Sequence, residues 1–136
     1  MKKIILLLIS LSFLSCSLDD GNEVTFHREF LPILSVDAPT FFVHGEDHEI
    51  TVTYTRPNSC YQFDYIYYTK NNNERTVAVL AKVLENNNNC IEVVEESETT
   101  FTVRAEQEET YVFNFWQGVD DNGEDMYLII EVPVEQ

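Results

Sequence analysis

The strongest constraint on this chain is an alternation of period two that runs through most of its length. Residues 48–55 place Ile50, Val52 and Tyr54 on one side of an extended backbone and Thr51, Thr53 and Thr55 on the other. Successive side chains of a strand point to opposite faces, so this pattern makes one apolar and one polar surface only if the segment is a strand. Residues 60–69 repeat it, with Tyr61, Phe63, Tyr65 and Tyr67 expected on one face. Residues 126–134 put Leu128, Ile130, Val132 and Val134 together. Residues 75–84 (RTVAVLAKVL) are almost continuously apolar, as a central strand covered on both sides would be. Ala, Leu and Lys favour helix there, but Val77, Val79 and Val83 and the neighbouring strands favour β. Shorter runs occupy 90–94, 100–105 and 110–116.

The gaps carry turn chemistry. Asparagines cluster at 71–73 and 86–89, and Asn tolerates left-handed backbone. Asp121-Asn122-Gly123 lies between two strong strands and predicts a hairpin. Hydrophobic residues make up 44% of 136, enough for the core of one modest domain, and four Gly and four Pro are too few for a linker or collagen-like chain. There is no internal repeat. The expectation is an all-β protein, an antiparallel sandwich of seven or eight strands.

Residues 108–113 (EETYVF) resemble the tyrosine corner of immunoglobulin-like folds, where a Tyr follows an acidic or turn residue and precedes a core position by two. The resemblance implies a corner role for Tyr111 and a core position for Phe113. It is to Ig-like or fibronectin-like sandwiches rather than antibody domains, because Trp116 follows both Cys60 and Cys90 instead of standing between them.

The N-terminus reads as an address. Lys2 and Lys3 precede an apolar run of 11 residues, 4–14 (IILLLISLSFL). A helix of that length spans roughly 16 Å, well short of the ~30 Å hydrocarbon core of a bilayer. Ser15 then precedes Cys16. This architecture resembles the lipobox signal peptide of bacterial lipoproteins. The resemblance implies cleavage before Cys16, acylation of that cysteine, and anchoring in the outer membrane through several acyl chains. Ser17-Leu18-Asp19-Asp20 resembles the acidic export signal of some Gram-negative surface lipoproteins, which implies display at the cell surface rather than on the periplasmic side. The chain thus divides into a leader (1–15), a lipidated N-terminus with a flexible tether (16–28) and a β-sandwich domain (29–136).

An exported chain meets oxidising surroundings in which thiols pair. With Cys16 set aside, Cys60 and Cys90 form the even pair, and a disulfide between them is expected. Without the leader's lysines, six basic residues face 24 acidic ones. No basic patch exists to release counterions from nucleic acid, so nucleic acid is excluded as a partner.

The candidate sites compete with plainer readings. His44 and His48 flank a Gly-Glu-Asp turn and stand four apart, a spacing used for zinc, but Gly45 occupies the position where the zinc-peptidase motif needs Glu. Asp120, Asp121 and Asp125 offer oxygens suited to calcium, although the EF-hand spacing fails and a hairpin explains them. Tyr67 and Tyr68 are adjacent and must point to opposite faces, as must Phe115 and Trp116. If one face is core, Tyr68 and Trp116 are the expected exposed pair, able to stack on a glycan or protein. No phosphate loop or nucleophile motif is visible, no cofactor is implied, and the chain is expected not to be an enzyme. The function expected is an extracytoplasmic, membrane-anchored binding module. The alternatives are an accessory subunit of an envelope complex or, further off, a metal-dependent enzyme or peptidase inhibitor.

Overall fold

The computed structural model describes Gly21 and residues 23–86 and 89–136. The leader, Cys16 and most of the tether lie outside the described residues. Among those described are ten strands and no helix: β1 Phe26–Leu31, β2 Ile33–Asp37, β3 Phe42–Val43, β4 Asp47–Arg56, β5 Tyr61–Asn71, β6 Glu74–Leu84, β7 Glu95–Arg104, β8 Tyr111–Val119, β9 Asp125–Val132 and β10 Val134–Glu135. Strand β1 takes up Phe26 and Arg28, which the sequence reading gave to the tether.

Two sheets face each other. One has five strands, with β6 at its centre: β5 pairs with one edge of β6, while β1 and β8 share the other edge in tandem, and β9 lies beyond β8. The other runs β2-β4-β7, and a short pair joins β3 to β10. Pro32 sits where the chain changes sheet, between β1 on β6 and β2 on β4. A residue without an N–H interrupts a ladder there at no loss.

Three expectations need correcting. The strand count exceeds seven or eight, because β1 and β2 form on either side of Pro32, ahead of the runs read from the sequence, and two-residue strands form the β3–β10 pair. The sandwich is mixed rather than antiparallel: β6 runs parallel to β8, and β3 to β10. Parallel neighbours need a long crossover, and β7, inserted in the opposite sheet, supplies it for β6 and β8. Residues 90–94 are not a strand. Cys90 is bonded to Cys60 across a Cα–Cα distance of 5.4 Å, Ser59 N donates to the Ile91 carbonyl, and Ile91, Val93 and Val94 stand exposed.

The core follows the alternation. Ile50, Val52 and Tyr54 of β4 are buried against Val77 and Val79 of β6 and Phe113 and Phe115 of β8. Each such side chain, fully removed from water, contributes about 1.5–3 kcal/mol. Phe113 stacks between Tyr111 and Phe115 at 5.8 and 5.7 Å. The Tyr111 hydroxyl reaches back to the Glu106 amide and the Arg104 carbonyl, so the expected corner forms. Strand β6 is covered on both faces, which is why its sequence does not alternate: Ala78 and Leu80 on the outer side are buried, as are Val77 and Val79 on the inner. The asparagine clusters do what their chemistry allows, with Asn72 and Asn86 at positive φ. The Asp121-Asn122-Gly123 turn joins β8 to β9 with Gly123 in the left-handed region.

Candidate ligand-binding face

Strand β5 decides which aromatics reach the surface. Its ladder with β6 slips between Phe63 and Tyr65, leaving Asp64 as an extra residue. One extra residue reverses the phase of a strand. Tyr61 and Phe63 therefore face inward, and Phe63 lies 6.3 Å from Tyr54 of the opposite sheet. Tyr65 and Tyr67 face outward. The four aromatics expected on one face are split into two pairs.

The outer face of the five-stranded sheet is consequently aromatic. Registers place Phe26 and Phe30 of β1 beside Leu84 and Leu80, and Tyr67 beside Ala78. Trp116 of β8 pairs with Tyr127 of β9. Phe30 is the hub, with its ring 5.5 Å from Tyr67 and 5.8 Å from Trp116, both at steep angles. Between Phe30, Tyr67, Trp116 and Tyr127 lies a groove of 190 Å³, floored by Thr76 and Ala78 and rimmed by Asp125. Phe30, Tyr67 and Tyr127 keep 44%, 38% and 41% of their surface exposed. The Trp116 indole Nε1 donates to Asp125 Oδ1 at 2.9 Å, which fixes the ring's orientation.

One end of this face is closed by charge. Asp64, on the bulge, accepts from Arg28 at 2.7 Å and lies 3.6 Å from Lys82, and both cations stand over the Phe26 ring. The Arg28 hydrogen bond holds the Asp64 carboxyl below the usual carboxylate range. Around the corner, His27 lies between Glu29 at 2.7 Å and Glu85 at 2.9 Å, and Tyr61 donates to Glu29. The hydrogen bond to Glu29 raises the His27 pKa, and the same bond lowers that of Glu29.

The expected pair Tyr68 and Trp116 is not brought together. Trp116 lies on the outer face, but Tyr68 points between the sheets, 6.0 Å from Phe101, where burial pushes its phenol pKa up. Its exposed neighbour Tyr67 takes the place expected for it. Phe30 and Tyr127 were missed, yet Tyr127 was legible: if Leu128, Ile130 and Val132 face the core, Tyr127 and Ile129 must face out.

The proposed metal ligands are dispersed into local structure. His48 Nε2 accepts from the Val43 amide and the ring stacks on Phe42, while His44 bonds the Glu106 carbonyl. Asp120 Oδ1 accepts from the amides of Asn122 and Glu124, and Asp125 holds Trp116. Asp121 lies on the turn between β8 and β9. Among the described residues no three His, Cys, Asp or Glu side chains are grouped to hold a metal ion.

Residues 50–127, from β4 to the Tyr127 wall of the groove, match the family model described as the ORF11 β-sandwich domain. No curated protein and no solved structure matches the chain.

Proposed function

The chain belongs to the ORF11 β-sandwich domain family, and on that premise we propose that it is a non-enzymatic binding module held at the outer membrane by lipid on Cys16 and facing the cell exterior. The aromatic groove of Phe30, Tyr67, Trp116 and Tyr127 carries the binding part of this reading. Aromatic rings with a polar group at the rim suit the apolar C–H face and hydroxyls of a sugar ring. The strongly acidic chain disfavours a polyanion, so a neutral glycan is the partner of choice. Within the sandwich class the domain reads as Ig-like, supported by the Tyr111 corner and the buried Phe113 two residues on. The lipid anchor is supported by the apolar run, Ser15 and Cys16, and surface exposure by Asp19-Asp20.

Two measurements test this. Mass spectrometry of the membrane-extracted chain should find an acylated N-terminal Cys16, and an unmodified cysteine removes the anchor. Neutral-glycan arrays probed with the full chain and with Tyr67→Ala/Trp116→Ala should show capture by the first alone. Equal capture by both, or capture of none, removes the glycan face.

A second reading, an accessory subunit of an envelope assembly, draws on a different surface. Ile91, Val93 and Val94 project at 64%, 55% and 68% exposure from a segment fastened by the disulfide. A chain that always migrates alone after extraction in mild detergent argues against it.

A further inference from the structure

Six cationic side chains lie among the described residues, and four of them have a carboxylate within 4 Å: Arg28, Arg56, Lys82 and Arg104. The two that do not, Lys70 and Arg75, line one cavity. It opens between the sheets where the β5–β6 hairpin meets the β7–β8 corner, and its volume is 450 Å³. In a chain with 24 acidic residues, two unpaired cations converging on one space are a departure that calls for a cause.

Arg75 makes the case sharper, because only 6% of it is exposed. A guanidinium stays charged at any relevant pH, and buried charges are normally paired with opposite charge. The partners of Arg75 are all neutral. Nη1 donates to the carbonyls of Asn72 and Glu74, both at 2.8 Å, and Nη2 donates to Gln107 Oε1 at 2.7 Å. The cation lies 4.8 Å from the centre of the Tyr111 ring. Its Nε–H has no acceptor. Glu106 also lines the cavity but is not within ion-pair distance of Arg75 or Lys70.

We propose that this inter-sheet cavity is a ligand site for a small organic carboxylate with an apolar body. Lys70, at the exposed hairpin end, pairs with the carboxylate, and the buried charge of Arg75 holds it from the floor. Ile66, Tyr68, Phe101 and Val103 form the wall for the apolar part. Tyr68 thereby acquires a role inside the sandwich, on the opposite face from the aromatic groove. The site does not depend on the glycan reading.

The test titrates the full chain, in mild detergent, with 3-phenylpropionate, its neutral amide and inorganic phosphate, reading the Arg75 Nε–Hε and ring signals by NMR. The expected result is saturable binding of the carboxylate, a shift of the Arg75 Hε and Tyr68 signals, and at least about tenfold weaker binding of the amide, as loss of a charge-assisted bond implies. Lys70→Met, at an exposed position that leaves folding intact, should weaken the carboxylate by a similar factor. Tyr67→Ala/Trp116→Ala should leave it unchanged. Equal binding of acid and amide, binding of phosphate in preference to the acid, or an unmoved Arg75 signal at saturating acid would overturn the proposal.

Discussion

The hydroxyl of Tyr111 accepts a hydrogen bond from the backbone amide of Glu106, five residues back along the chain, at 3.1 Å. It also lies 3.4 Å from the Arg104 carbonyl, to which it can donate. One phenol thus ties the end of β7 to the start of β8 across the corner between the sheets. Tyr111→Phe keeps the ring and removes both bonds, and should cost about 1 kcal/mol. In a domain of this size that lowers Tm by roughly 4 °C, which calorimetry on the two forms checks.

Gly118 has a φ of +100°, and a methyl group there would stand 3.4 Å from Pro32 Cγ. The residue lies in the irregular stretch between Trp116 and Val119, where β8 falls out of register with β9. Gly118→Ala should therefore destabilise by about 1–3 kcal/mol through backbone strain. Denaturant unfolding should show a lower midpoint at an unchanged slope.

Breaking the Cys60–Cys90 bond frees a long loop in the unfolded chain and should remove about 3–4 kcal/mol on the chain-entropy account. Amide exchange should accelerate most between Ser59 and Val94, where Ile91 N donates to Ser59 Oγ at 2.6 Å and depends on the bridge for its position. Core amides of both sheets, which exchange through global unfolding, should lose protection by the same amount, and unchanged protection there would contradict the chain-entropy account.

Adjacent tyrosines should behave oppositely. Tyr68→Ala opens a void beside Phe101 and should cost about 2–4 kcal/mol, whereas Tyr67→Ala empties a half-exposed position and should cost less than about 1.5 kcal/mol. Only Tyr67→Ala should alter behaviour at the Trp116 groove, readable as a change in indole fluorescence.

The edge where β1 meets β6 should have a pH window. The raised pKa of His27 means that its bonds to Glu29 and Glu85 stabilise fully below the ordinary histidine value of about 6.5, and that this is lost as pH rises through the higher folded value. Asp64 and Glu29 have lowered pKa values, so their contribution is present above the ordinary carboxylate range near 4 and is lost as pH falls through the lower folded values. Exchange protection of the β1 amides should be greatest between about pH 4.5 and 6.5. Glu29→Gln should bring the His27 titration down toward 6.5, and an unchanged titration would count against the pairing.

What could be read from the chain was local. The period-two pattern of residues 48–55, the doubly apolar run of 75–84, the Asn-Gly turn at 122–123 and the corner at Tyr111 each rest on neighbours within about ten residues, and each forms. The disulfide followed from counting cysteines. What could not be read depends on pairing between distant strands. Nothing near Phe63 announces that Asp64 will be left out of the ladder, yet that single slip decides whether Tyr65 and Tyr67 or Tyr61 and Phe63 lie on the outer face of the sheet. The same holds for β6 and β8, whose parallel contact exists only because β7 is taken up by the other sheet. Tyr68 was misplaced for this reason: adjacency fixed that it opposed Tyr67, but not which of the two faced inward.

The break at Pro32 has a mechanical consequence. Tension applied from the N-terminal side enters the domain at Phe26 and meets the six pairs of β1 with β6. Beyond Pro32 the chain grips β4 of the opposite sheet through β2. Peeling the first ladder does not release the chain, because the second belongs to the opposite layer. Load arriving at one end is divided between both sheets, so the two layers resist separation together.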